Sequence, residues 1–337
     1  MADEPRLGIP PVRKVAVLRA LKLGDLLCAV PALRALRAAL PGAEIVLVAL
    51  PWAAEFAARF RHLLDGFREF PGFPGLPEIP PRVERIPAFL SAMQAEEFDL
   101  AVQLHGSGPF VNPVTALFGA RHAAGFYLPG DYCPDPHRFL PWPERGTEVR
   151  RLLALTDFLG APARGEHLEF PLGDPDIREL ASVMNINESE YVCVHPGASV
   201  PERRWPADRF AAVADALAGR GLRVILTGTA GEAGLTRAVR EAMAAPAADL
   251  AGKTSLGATA ALLAKARLLL CNDTGVSHLA AAVRTPSVVV STGDNPARWA
   301  PADARRHRVL CRPGGPVPTA DVLAESLDLL AHPPPAA

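Results

Sequence analysis

The sequence predicts an α/β protein made of two successive parallel-sheet units, and three observations carry that reading. The chain has 337 residues, more than one hydrophobic core usually serves. Short β-branched runs alternate with Ala- and Leu-rich helical stretches, the pattern of strand–helix–strand crossovers. That alternation fails in a stretch rich in proline and aromatics from Tyr127 to Arg145 and restarts at Tyr191.

The first unit opens with strands expected at Val15–Leu18, Glu44–Leu50 and Asp99–Leu104. Between the first two lies a helix, Asp25–Leu40. Its Leu26, Val30, Leu33, Leu36 and Leu40 recur every three or four residues and form one apolar stripe. Pro31 falls inside that helix and should kink it. YLPGDYCPDPHRFLPWPER reads as a long, partly ordered loop, and loops of that length are often functional. A helix near Thr147–Leu159 follows, and GAPARGEHLEFPLGDPD then reads as a linker. In the second unit, buried parallel strands are expected at Tyr191–His195, Arg223–Thr227, Leu268–Cys271 and Ser287–Val290. Helices near Pro206–Arg220, Glu232–Met243, Leu256–Ala266 and Ser277–Val283 separate them. A helix at Thr319–Ala331 closes the chain, without a place that periodicity alone assigns. The expected division is a first domain over 1–165, a linker over 166–188, a second domain over 189–315, and a helix and tail over 316–337. Two such units should bind ligands in a cleft at the C-terminal ends of their sheets.

Composition narrows the function classes. Hydrophobic residues at 49% and charged residues at 21% suit a soluble globular enzyme. A net charge of −1 supplies no global basic field, so nucleic acid is not an expected partner. The start MADEPRLGIPPVRK has no charged end followed by an apolar run, which argues against a signal peptide. No apolar run approaches the roughly 20 residues of a membrane span, so a cytoplasmic protein is expected. A peripheral membrane contact through a few surface residues stays compatible with that. Cys28, Cys133, Cys193, Cys271 and Cys311 are scattered and lack metal-ligand spacing, so they read as buried thiols in a reducing compartment.

Four strand-to-helix junctions carry chemistry. The first is Leu23-Gly24-Asp25. Glycine permits a sharp turn and close approach of a ligand. Asp25 is either a helix cap or a carboxylate acting as general base, kept ionised by the helix end. The second is His195-Pro196-Gly197-Ala198-Ser199 followed by Arg203-Arg204-Trp205-Pro206. Turn amides, hydroxyls and guanidinium groups there can bind phosphate; the alternative is a surface loop with solvated arginines and a structural tryptophan. The third is Asn272-Asp273-Thr274-Gly275-Val276-Ser277-His278. A wholly apolar strand empties into a polar turn, and the amides of Thr274, Gly275 and Val276 would form an anion site. Beside a phosphate, Asp273 suits sugar hydroxyls or the turn itself; His278 is either a phosphate donor or a core histidine. The fourth is Thr227-Gly228-Thr229-Ala230-Gly231-Glu232, where Glu232 either accepts from ribose hydroxyls or is a plain helix-start residue. None of these loops is a G-x-G-x-x-G or a Walker P-loop, so hydride transfer and NTP hydrolysis gain little support.

In this order the segments resemble the heptosyltransferase family of glycosyltransferases, family 9. The matching stretches are VLRALKLGDLLCAVPALRALRAALPGAEI, VHPGASVPERRWPADRFAAVADAL, LTGTAGE and DLAGKTSLGATAALLAKARLLLCNDTGVSHLAAAVRTPSVVV. The resemblance implies a GT-B fold of two Rossmann-like domains facing across a cleft, with acceptor on the first and donor on the second. It implies an inverting, metal-independent transfer with no cofactor and a nucleotide-sugar donor, ADP-heptose being expected. It makes Asp25 the base, with Ser199 and Arg203 on the diphosphate or sugar. Arg204 stands beside them, Glu232 would hold the ribose, and Asp273, Thr274, Gly275, Val276 and His278 would line the sugar-diphosphate site. Gly24 and His105 are expected on the acceptor side, with a buried structural histidine as the alternative for His105. The acceptor would be a glycan, a glycolipid or a small-molecule hydroxyl, such as a lipopolysaccharide core. Many relatives have Lys where Arg203 or Arg204 stands, which alters the geometry of the charge. The middle third, with His105-Gly106-Ser107 and the Tyr127–Arg145 loop, departs from the family pattern. Rival readings are a transferase using another ADP- or UDP-sugar on a natural-product or cell-surface acceptor, a non-catalytic nucleotide-sugar-binding protein, and a GT-B-shaped epimerase.

Overall fold

A computed structural model describes residues 11–185, 190–293, 295–312 and 314–333. Of the expected segments, residues 1–10, 186–189 and 334–337 lie outside them. The chain divides into two compact units, the first running to Glu166 and the second starting at His167.

The first unit runs β1 (Lys14–Leu18), α1 (Leu23–Ala39), β2 (Glu44–Ala49), α2 (Ala53–Arg59), β3 (Gly66–Glu69), α3 (Ile86–Ala95), β4 (Leu100–Gln103), α4 (Val111–Ala116), β5 (His122–Tyr127), β6 (Phe139–Pro141) and α5 (Glu148–Phe158). Its sheet has the order β3-β2-β1-β4-β5-β6, every pair parallel. Val15 to Leu18 and Ile45 to Ala49 are buried along their whole length, because helices cover both faces of a parallel sheet. On one face, Ala16, Leu18, Val46 and Val48 pack with Phe70, Phe98 and Phe118. Phe89 meets both Phe70 and Phe118 edge-on. α1 runs through Pro31 without ending there, and its partner helix is α5. The Tyr127–Arg145 stretch is not loop throughout. It contains the short edge strand β6, paired with β5, whose three residues are too few to show a strand period.

The second unit runs α6 (Asp174–Val183), β7 (Tyr191–His195), α7 (Ala207–Ala218), β8 (Arg223–Leu226), α8 (Ala233–Ala242), β9 (Ala247–Asp249), α9 (Leu256–Lys265), β10 (Leu268–Asn272), α10 (Gly275–Ala282), β11 (Ser287–Ser291), α11 (Pro296–Trp299), β12 (His307–Cys311) and α12 (Thr319–Ala331). The sheet order is β12-β11-β10-β7-β8-β9, the same doubly wound order as in the first unit. Val192, Val194, Leu268, Leu270, Val288 and Val290 alternate along their strands and share one core with Trp205, Phe210 and Leu217. The expected linker contains α6, which packs on α9 and belongs to the second unit. Glu179 of α6 accepts from the Ser255 amide at 2.7 Å and its hydroxyl at 2.6 Å. α12 lies against α7, β10 and β11. Just before it, the Val317 carbonyl accepts from Trp205 Nε1 at 2.9 Å and Arg209 Nη1 at 3.0 Å.

No helix among the described residues is long and apolar enough to cross a membrane. None of the five cysteines is in a disulfide; Cys28, Cys193 and Cys271 are buried as expected, whereas Cys133 is half-buried and Cys311 exposed. Their placement accounts for the difference: Cys311 ends an edge strand and Cys133 lies in the loop after β5.

β12 begins at His307, which is buried and whose Nδ1 lies 2.8 Å from the Ser287 hydroxyl at the start of β11. Burial pushes its imidazole down from 6.5 to about 4, with Asp303 opposing and Arg306 and His278 reinforcing. The unfolded chain therefore binds this proton more readily, so the stability from neutral His307 is complete above about pH 6.5. It is lost as pH falls towards about 4. Over that window the unfolding free energy should drop by roughly 2–3 kcal/mol more in the native chain than in His307→Asn, as read by denaturant titration at each pH.

Candidate functional site

Each unit gathers polar side chains where its strand order reverses, between β1 and β4 in the first and between β7 and β10 in the second. These switch points are where doubly wound sheets bind ligands.

In the first unit, Arg19 to Lys22 lead from β1 into α1. Asp25 sits in the first turn of α1 and its Oδ2 accepts the Lys22 amide at 3.3 Å. The N-cap is thus Lys22 and not Asp25, which bonds back to it from the third helical position with its side chain 19% exposed. Gly24 lies within the helix and not at a sharp turn; Arg19 to Lys22 make the connection before it. Arg19, which sequence reasoning did not single out, is 1% exposed. Its Nε donates to the Asp25 carbonyl at 2.7 Å and its Nη1 to the Leu104 carbonyl. Its Nη2 donates to Glu148 Oε1 at 3.1 Å and lies 3.7 Å from Asp25 Oδ1.

His105 is buried, with Nδ1 accepting the Ala20 amide at 3.1 Å and Nε2 3.1 Å from Glu78 Oε1. With Nδ1 as acceptor, the proton of the neutral ring sits on Nε2 and faces the carboxylate. Burial pushes the Glu78 carboxyl up, but its interaction with His105 outweighs this and holds the group below its ordinary range. Both ring nitrogens thus face protein groups. Gln103 braces the same strand end: its Nε2 donates to Gly106 O, Asn112 Oδ1 and Phe126 O, and its Oε1 accepts the His105 and Gly106 amides.

In the second unit Asn272, the fully buried last residue of β10, ties the loop after β7 to its own strand end. Its Nδ2 donates to the Pro196 carbonyl at 2.8 Å and its Oδ1 accepts the Trp205 amide at 2.9 Å. The loop carrying Ser199, Arg203 and Arg204 is thereby fixed beside the Asp273–His278 turn. Ser199 is exposed, and Arg203 and Arg204 are half-buried. Arg204 Nε donates to the Ala198 carbonyl at 3.0 Å, so part of its guanidinium shapes the loop itself. Trp205 is structural, buried edge-on against Phe210.

Glu232 comes from the loop after β8. Its Oε2 accepts the Thr229 amide at 2.8 Å and hydroxyl at 2.9 Å. Its carboxylate lies over Gly197, where an added Cβ would stand 2.1 Å from Oε1; a side chain at 197 would displace it. His195 lies below, Nε2 3.9 Å from Glu232 Oε2 and Nδ1 3.1 Å from the Thr227 hydroxyl. Burial pushes its imidazole down, and Glu232 opposes this only in part.

Asp273 follows Asn272, its Oδ2 accepting the Ser291 hydroxyl at 3.2 Å. Thr274 is the N-cap of α10 and Gly275 and Val276 its first residues, so their amides belong to the turn that has no intrahelical acceptor. His278 is buried one turn down, edge-on to Trp299 at 6.3 Å between ring centres. The first-turn amides of α10 thus follow the Asp273 carboxylate directly, while the Glu232 carboxylate stands over the neighbouring loop at Gly197. Among the described residues, no group of three or more His, Cys, Asp or Glu is arranged to hold a metal ion.

The family model of glycosyltransferase family 9 (heptosyltransferase) matches residues 139–320, more than half of the chain. Lipopolysaccharide heptosyltransferase 2 of Escherichia coli is 30% identical over 166 residues, covering 44% of this chain and 46% of that protein. The chain spans less than half the length of the curated relatives it matches at this level of identity. Among solved structures, a family 9 glycosyl transferase from Veillonella parvula has a TM-score of 0.79 at 20% identity, covering 95% of this chain and 97% of that one. The E. coli ADP-heptose heptosyltransferase II has a TM-score of 0.77 at 21% identity, covering 94% and 98%. Likeness at that identity shows a shared fold, the GT-B type of two Rossmann-like units.

Asn272→Leu would keep the volume but strand the Trp205 amide and the Pro196 carbonyl in the interior. Two such losses should cost about 2–4 kcal/mol of unfolding free energy, measured by urea titration against the native chain.

Proposed function

The chain belongs to glycosyltransferase family 9, and we propose that it moves a heptose from ADP-heptose onto a hydroxyl of a lipopolysaccharide core or another glycan. The transfer inverts the anomeric carbon and uses no metal ion or cofactor. The observation that carries this reading is the cluster held by Asn272: first-turn amides of α10, a basic loop, and the carboxylates of Glu232 and Asp273 around one strand end. A sugar diphosphate asks for this combination, because its phosphates need positive dipoles while its ribose and sugar hydroxyls need acceptors. Support for the donor comes from the E. coli structure that shares this fold and is named for ADP-heptose.

In this mechanism the acceptor hydroxyl attacks the anomeric carbon as Asp25 takes its proton, and the bond to the ADP oxygen breaks. The charge gathering on the leaving diphosphate is met by the amides of Thr274, Gly275 and Val276 and by Arg203 and Ser199. Fixed dipoles and a guanidinium can supply the stabilisation that a metal supplies elsewhere. Glu232, oriented by Thr229 and by contact with Gly197, accepts from the ribose hydroxyls, and Asp273 from hydroxyls of the sugar. Such chemistry belongs on the cytoplasmic side of a cell, where nucleotide sugars and reduced thiols coexist.

Calorimetry with ADP-heptose, ADP-glucose, UDP-glucose and NAD, with and without EDTA, tests the donor. ADP-heptose alone should bind, with equal affinity in both buffers; binding of another sugar nucleotide in its place would reassign the donor. Asp25→Asn should keep donor affinity within about twofold while turnover falls about a thousandfold. Near-normal turnover in that variant would remove Asp25 from its role. Gly197→Ala, which drives a methyl group into Glu232, should weaken ADP-heptose binding roughly tenfold in the same calorimeter.

A further inference from the structure

With Glu232 read as the acceptor for the ribose hydroxyls, we propose that His195 and Thr227 are positioning residues that make its carboxylate select a ribonucleotide over a deoxyribonucleotide. His195 ends β7 and Thr227 directly follows β8. These strands are parallel neighbours, and the Thr227 amide donates to the Val194 carbonyl at 2.9 Å. That bond sets the Thr227 hydroxyl beside His195, 3.1 Å from Nδ1. The other ring nitrogen, Nε2, stands 3.9 Å from Glu232 Oε2.

Burial holds this imidazole below its ordinary range, so the ring is neutral and carries one proton. A carboxylate only accepts, whereas a hydroxyl either donates or accepts. The proton therefore belongs on Nε2, facing Glu232, and the Thr227 hydroxyl donates to Nδ1. At 3.9 Å the contact with Oε2 is electrostatic and not a hydrogen bond. The two side chains are only 11% and 20% exposed, so solvent screens it weakly. Thr229 brings its amide to the same oxygen at 2.8 Å and its hydroxyl at 2.9 Å. The carboxylate is thereby oriented: Oε2 is addressed by Thr229 and His195, while Oε1 stands over Gly197. A group fixed in this way loses little side-chain freedom when a hydroxyl binds it, and selectivity for that hydroxyl rises accordingly.

Calorimetry on the full chain with ADP, 2′-deoxy-ADP and 3′-deoxy-ADP reads the selectivity as a ratio of Kd values. Nitrogen-15 NMR reads the His195 tautomer, its resonances assigned by their absence in H195Q. The native chain should hold the proton on Nε2 and bind at least one deoxy analogue about tenfold more weakly than ADP. In H195L that ratio should fall to about twofold, through lost affinity for ADP with the affinity for the deoxy analogue kept. A merely structural role would weaken all three nucleotides alike. H195Q, which can set an amide N–H near the place of Nε2, should restore most of the ratio. T227V should divide the proton between the two nitrogens and lower the ratio. A proton on Nδ1 in the native chain, or a native ratio in H195L, overturns the proposal. Should H195L not fold, an unchanged tautomer and ratio in T227V overturns it instead. Equal binding of all three nucleotides by the native chain, or binding of none, would strike the ribose reading of Glu232 itself, and the proposal with it.

Discussion

The arrangement of the second unit depends on one buried amide. Asn272 binds both ends of the loop that joins β7 to α7, and it does so from inside the sheet. Strand order puts β7 beside β10, so the loops leaving these strands start as neighbours. Neighbouring starts do not fix where the loops go. The Asn272 amide does, because burial makes each of its hydrogen bonds costly to lose. Its carbonyl holds the chain at Trp205 and its nitrogen holds it at Pro196, and the basic segment between them has its two ends pinned. The turn that follows Asn272 is then in register with that segment from the outset.

The first unit has the same strand order and meets the same demand with charge. Arg19 ties β1 to the strand end at Leu104 and to helix α5 through Glu148, while Gln103 ties together the residues after β4. Ionic pinning is the less forgiving solution, since a buried charge that loses its partner is far worse off than a buried amide.

Much of the architecture was legible in the sequence because parallel strands buried on both faces read as unbroken apolar runs, as in Val15–Leu18, Tyr191–His195 and Ser287–Ser291. Edge strands escaped for the opposite reason. β6 and β9 have three residues each and β3 four, too short to establish a period of two. α6 was hidden inside a segment whose prolines and glycines suggested a linker. At the site, Asp25, Glu232 and the Asp273–His278 turn were visible because each stands at a strand-to-helix junction. Glu78, Arg19 and Glu148 were not, since what makes them notable is a partner far along the chain: Arg19 and Glu148 are 129 positions apart. Periodicity is blind to such pairs. Gly24 was legible as a residue but misplaced as a turn, because a glycine before an aspartate looks the same on either side of a helix start.

The distribution of thiols has a practical side. Cys193 and Cys271 lie in adjacent central strands, where burial raises both thiols far above their ordinary range, and Cys28 is sealed in α1. An alkylating dye has little thiolate to meet at Cys193 or Cys271 and no open path to Cys28. Cys133 in the first unit and Cys311 in the second remain reachable. The native chain therefore carries one attachment point per unit for a fluorophore or spin label, so distances between the units can be followed through a catalytic cycle without altering a single residue.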